Sequence, residues 1–122
     1  MADLILPWPP KELSPNARVH WAKRASAAKK YRKTCWALAI EADVGIDWPG
    51  EVHLWLTFYP HDHRHRDDDN LIAAFKSGRD GLADALGIDD KRFRVHPFLS
   101  VNEIVHGGAV KVCFSKGPDF GA

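Results

Sequence analysis

Apolar residues recur along this chain with two different periods, and the switch between them marks the elements. Leu4-Ile5-Leu6 predicts a short strand, halted by Pro7, Pro9 and Pro10. Proline there implies an edge strand or a strand end. Ser14-Pro15-Asn16 reads as a turn that approaches a helix. From about Arg18 to Asp43, Trp21, Ala25, Ala28, Tyr31, Cys35, Leu38 and Ala42 recur at steps of three and four. That spacing predicts one helix with a single apolar stripe. Glu51 to Tyr59 alternates Val52, Leu54, Leu56 and Phe58 with His53, Trp55, Thr57 and Tyr59, which predicts a strand. Aromatics on the second set imply that both of its faces are partly covered. His61 to Asp69 holds no apolar residue and reads as an exposed loop.

A second helix is expected from about Asn70 to Leu86, with Leu71, Phe75, Leu82 and Leu86 as its core face. Asp68 or Asp69 suits its N-cap and Gly87 its C-terminal cap. Gly78 and Gly81 weaken its interior. Arg92–Phe98 and Leu99–His106 are strand-like pieces interrupted by Pro97. Gly107-Gly108 signals a hairpin turn before a strand from Ala109 to Phe114. The tail after Ser115 is expected to fray. The order predicts an α+β fold, a small mixed β-sheet packed with two main helices, in a single domain over residues 1–122.

Composition adds limits. The formal net charge is only +1, which by itself points neither to nor away from nucleic acid. The distribution says more. Eight Lys/Arg and one acid, Glu12, fall between Lys11 and Lys33, whereas acids gather at Asp67–Asp69 and Asp89–Asp90. A basic half beside an acidic cluster fits a protein that holds a polyanion and does metal chemistry on it. Solvated helix faces account for the charge equally well. Cys35 and Cys113 lack metal-ligand spacing and read as buried reduced thiols. No signal peptide and no membrane-length apolar run is evident, so a cytoplasmic protein with no membrane partner is expected. Walker, Rossmann and GxSxG motifs are missing, which disfavours a nucleotide cofactor or acyl transfer.

Chemistry concentrates in Arg66-Asp67-Asp68-Asp69-Asn70-Leu71. In an extended segment, Asp67 and Asp69 project to the same side. With Asp89 and Asp90 returning after the helix, three or four carboxylates would suit Mg2+, a hard cation that prefers oxygen. Such a metal polarises a phosphoryl group and generates hydroxide. A helix cap followed by an acidic turn is the competing reading of the same spacing. Asn70 can bond a carboxylate, a metal-bound water or a phosphate, or belong to the cap. Lys76, two helical turns beyond Asp69, is a candidate for phosphate neutralisation. His61, His63 and His65 alternate with Arg64 and Arg66. Zinc binding is one reading of that run, and a basic loop on the DNA backbone is another. Lys23, Arg24, Lys29, Lys30, Arg32 and Lys33 offer further salt-dependent backbone contacts. Trp8 and Trp21 are candidates for stacking on unpaired bases, although Trp21 also fits the helix core stripe.

Arg64-His65-Arg66-Asp67-Asp68-Asp69-Asn70-Leu71, followed by Asp84-Ala85-Leu86-Gly87-Ile88-Asp89-Asp90, resembles the RusA family of Holliday junction resolvases. Leu6-Pro7-Trp8-Pro9-Pro10 is similar to that family's opening, with Asn16 as the asparagine that often follows. The resemblance extends over about residues 4–114. It implies a RusA-like fold and a Mg2+-dependent endonuclease, with Mn2+ as a substitute, acting as a homodimer on four-way DNA junctions. It implies metal ligands at Asp67, Asp69 and Asp90, and a bacterial or prophage setting in recombination and repair. DNA contacts are then expected from Lys23, Arg24, Lys29, Lys30, Lys33, Arg64, Arg66 and Asn70. The family often carries an active-site lysine four residues after the second Asp of its D-x-D motif, where this chain has Ala73. Lys76 is the candidate substitute, and a non-catalytic junction-binding protein is the alternative.

Overall fold

Period-two alternation in the middle of the chain gives the central strand its two unlike faces. The computed structural model describes residues 3–64 and 66–117. Its elements are β1 (Leu4–Pro7), α1 (Trp21–Glu41), β2 (Val52–Tyr59), α2 (Asp68–Ala74), α3 (Lys76–Leu86), β3 (Phe93–Leu99) and β4 (Ala109–Lys116). Short 3-10 turns lie at Lys11–Leu13 and Asp90–Arg92. The four strands form one mixed sheet in the order β1-β4-β2-β3. The α+β expectation therefore holds.

β4 pairs antiparallel with both β1 and β2, while β2 and β3 are parallel and joined by the helical crossover of α2 and α3. Proline placement follows from this order. Pro7 ends edge strand β1, and Pro97 lies in the other edge strand, β3, where a missing N–H costs the sheet least. The expected hairpin at Gly107-Gly108 does not form, because β3 and β4 are not neighbours. Leu99–His106 is not a strand either: residues 100–108 cross the end of β2, held by Ser100 N–H to Phe58 O and Val105 N–H to Pro60 O.

Val52, Leu54, Leu56 and Phe58 of β2 join Leu4, Leu6, Val110 and Val112 in a core closed by Tyr31, Cys35 and Ala39 of α1 and by Leu71, Phe75 and Leu82. The second face of the sheet is more open than its aromatics implied. Trp55 is 47% and Phe98 66% exposed, and the His53 and His96 rings meet edge to edge at 2.6 Å. The α1 stripe is also displaced. Ala39 is buried whereas Ala25 and Ala42 are exposed, and Trp21, at the first turn, is 75% exposed. Cys35 is buried as expected, but Cys113 is half-buried and its thiol donates to Asp3.

The single helix expected over Asn70–Leu86 is two. Phe75 takes φ −86° and ψ −2°, and the axis breaks there. Its ring is anchored edge-on to Tyr31 and Phe58, each 6.1 Å away. The break falls at this packed ring and not at a glycine. Gly78 and Gly81 lie inside α3 and are buried. A β-carbon at Gly81 would collide with the carbonyl of Arg32, so this glycine lets the backbones of α1 and α3 touch. α3 ends at Gly87, whose φ of 68° is the left-handed cap that its glycine suits. No helix among the described residues is long and apolar enough to cross a membrane. The tail expected to fray lies mostly outside the described residues, and β4 runs on through Ser115 to Lys116.

Candidate functional site

Four separated sequence features meet in one groove of about 480 Å3. Trp8, Pro9 and Pro10 leave β1 at the end of the sheet where β2 also ends. Asn16 arrives from the turn before α1, His61 and Arg64 from the loop after β2, and Asp67 and Asn70 from the head of α2. Asp67 is the N-cap of α2, its carboxylate accepting from Asp69 N–H at 2.8 Å. Asp67, Asn70, Leu71 and Ala74 share the groove side of α2, at steps of three and four. Asp69 is exposed and does not line the groove. The segment is helical from Asp68, not extended as expected, so residues two apart diverge around the axis.

The groove wall is built on Trp8. Its ring stands edge-on to Phe58 at 5.9 Å, and a β-carbon at Gly108 would come within 2.9 Å of its own Cβ. The Arg66 guanidinium lies 5.4 Å from the ring centre. Trp8 is therefore packed by protein and is not a free stacking platform. Arg66 is likewise engaged by the protein and is not a free DNA contact. Its side chain is only 13% exposed, and it donates to the Asp62 carboxylate at 2.8 Å and to the Arg64 carbonyl at 2.7 Å. It fastens the loop next to Asp67 and has little left to offer a phosphate. Arg64 N–H and then Arg66 hold the Asp62 carboxyl below the ordinary range. Nothing in the sequence marked Asp62 beyond an i,i+4 spacing to Arg66, which carries no meaning in a loop.

Asp90 stands elsewhere. Asp67 follows the C-terminal end of β2, while Asp90 precedes β3, which runs parallel to β2 in register. The two are thus at opposite ends of the sheet, a β2 length apart, on the order of 20 Å. Asp90 lines a different cavity of about 260 Å3 with Asp80, Asp84, Asp89 and Arg32. Cations and backbone already occupy these acids. Arg32 grips Asp84 through two bonds of 2.7 and 2.9 Å, which lowers the Asp84 pKa and raises that of Arg32. Arg79 lies 3.6 Å from Asp90, and Asp89 accepts from Lys91 N–H, which lowers the Asp89 pKa. Among the described residues, no group of three or more His, Cys, Asp or Glu is close enough to hold one metal ion. One chain therefore does not bring the expected set of Asp67, Asp69 and Asp90 together. The parallel crossover separates its halves.

Lys76 begins α3 beyond the break, and its ammonium lies 3.3 Å from Asp80. The break removes the continuous helix face that was to align it with Asp69. Lys23, Lys29, Lys30 and Lys33 are exposed along α1. Arg24 is instead half-buried and donates to the carbonyls of Ser14 and Ala17, which tie down the turn before the helix. Lys29 and Lys33 flank Trp36 in a shallow cleft of about 410 Å3. His61 and His63 are exposed, and His61 lies 3.2 Å from Asp62. His65, the third member of the alternating run, lies outside the described residues.

No family model matches the sequence. The chain is 49% identical over 115 residues to an uncharacterized protein of Xylella fastidiosa (strain Temecula1), covering 92% of this chain and 74% of that protein. The two belong to one family.

Proposed function

We propose that this protein is a metal-dependent endonuclease of the RusA type, cutting four-way DNA junctions as a homodimer in the cytoplasm of a bacterium. The groove carries this reading. It gathers the Pro-Trp-Pro-Pro opening, Asn16, the basic loop and the Asp67–Asn70 segment, which are the features behind the resemblance, into one cationic cleft with a carboxylate on its wall. Exposed Lys23, Lys29, Lys30 and Lys33 supply backbone contacts along α1. Paired cuts on a two-fold junction call for a two-fold protein.

The separation of Asp67 and Asp69 from Asp90 sharpens the dimer. A chain that carries the two halves at opposite ends completes a Mg2+ or Mn2+ site when Asp67 and Asp69 of one protomer meet Asp90 of the partner. The alternative, a non-catalytic junction-binding protein, draws support from the same separation and from Ala73.

Complementation between inactive variants separates the possibilities. Asp69→Asn and Asp90→Asn are each expected to abolish junction cleavage with Mg2+. Mixed and refolded together, they form heterodimers with one intact cross-protomer site, and nicking returns. If wild type cuts and the mixture stays inactive, sites are completed within single chains. If wild type binds junctions and does not cut with Mg2+ or Mn2+, the binding-protein reading replaces the nuclease.

A further inference from the structure

We propose that the groove beside Asp67 is a slot for one unpaired nucleotide of the bound DNA, read at its base edge by Asn16 and Asn70. This deepens the nuclease reading and rests on it for the identity of the polymer. At about 480 Å3, the groove falls in the usual range for small-ligand sites, about 300–1,000 Å3, and has no room for a base pair with its two backbones. Pro9, Pro10, Leu71 and Ala74 give it an apolar part of its lining. A base face, itself poorly hydrated, matches that apolar surface. Lys11, His61 and Arg64 also line it, against the single carboxylate of Asp67. That balance admits a phosphodiester.

The two asparagines supply the recognition. Each amide presents a donor and an acceptor side by side, the pattern that pairs with base edges. Among the described residues, neither side-chain amide of Asn16 nor that of Asn70 makes a hydrogen bond. Asn16 engages Ser14 only through its backbone N–H. Two uncommitted amides therefore line one cleft. Trp8 does not provide stacking, because Phe58, Gly108 and Arg66 pack its ring. Instead the Trp8–Arg66 contact braces the loop so that the slot keeps its shape. A base unstacked at the branch point enters the slot, and the adjoining phosphate then lies beside Asp67.

The test is read by binding, without divalent metal. Four-way junctions carry a single 2-aminopurine, or a single abasic site, at successive positions around the branch. At one position wild type is expected to raise the 2-aminopurine fluorescence, and the abasic site there weakens binding about tenfold, as for loss of one base-edge contact pair. Asn16→Leu and Asn70→Leu lower the affinity for the intact junction to that for the abasic one, with thermal unfolding unchanged. If abasic junctions bind as tightly as intact ones at every position, the slot is overturned and the nuclease reading is untouched. If wild type binds no junction at all, both fall. Cleavage with Mg2+ despite indifference to the base overturns the slot alone.

Discussion

Replacing Gly81 by alanine sets two effects of opposite sign against each other. In an unobstructed helix interior the change is favourable by about 1 kcal/mol, through helix propensity and the loss of glycine's unfolded freedom. At position 81 the new β-carbon would collide with the Arg32 carbonyl and lie 3.1 Å from the Trp36 amide nitrogen. These are backbone atoms, so no rotamer change relieves the contact. α1 and α3 must move apart, which opens the packing around Tyr31, Cys35 and Leu82. Overpacking of this kind costs about 1–3 kcal/mol, and a backbone obstacle places it at the upper end. The difference leaves the variant less stable by about 2 kcal/mol. For a domain of this size that is a fall in melting temperature of roughly 6–8 °C. Urea and thermal unfolding followed by circular dichroism measure both quantities. An unchanged or raised melting temperature would refute the close approach of α1 and α3, and with it the placement of the basic helix against the crossover.

Arg66→Ala and Arg64→Ala separate scaffold from contact. If Arg64 touches a phosphate and Arg66 does not, Arg64→Ala reduces the slope of log affinity against log salt by about 1, while Arg66→Ala leaves it unchanged. A slope change for Arg66→Ala would restore it as a DNA contact. Asp84 carries a pH signature. Its pKa is lowered by the Arg32 hydrogen bonds, so its stabilising contribution is complete above the unfolded carboxylate value, about 3.9. The contribution is lost as pH falls through the lower folded value. The stability gap between wild type and Asp84→Asn should accordingly be constant near neutrality and close in acid. A gap that persists well below pH 3 would show that the pair does not act through charge.

Local pattern determined much of this molecule. Period-two alternation located β2, three-and-four spacing located α1, and Gly87 marked the end of α3, because each depends on residues close in the chain. Pro7 was legible as an edge or strand end for the same reason, whereas Pro97, which read as an interruption, lies inside edge strand β3. The Asp67–Asn70 segment, the Pro-Trp-Pro-Pro opening and Asn16 could be recognised singly as motifs, although the cap falls on Asp67 and not on Asp68 or Asp69 as expected. Only tertiary structure decided how they combine. The break at Phe75 falls at a ring packed against Tyr31 and Phe58, and the need for Gly81 comes from the backbone of Arg32, 49 residues earlier in the chain. Arg66 and Arg24 looked like DNA contacts because charge is visible in a sequence and its partners are not. Above all, Asp67 and Asp90 look adjacent in a motif, yet a parallel crossover carries the chain back along the sheet between them. A helix returning the length of the strand that precedes it must separate its two ends, and no spacing of aspartates can report that distance.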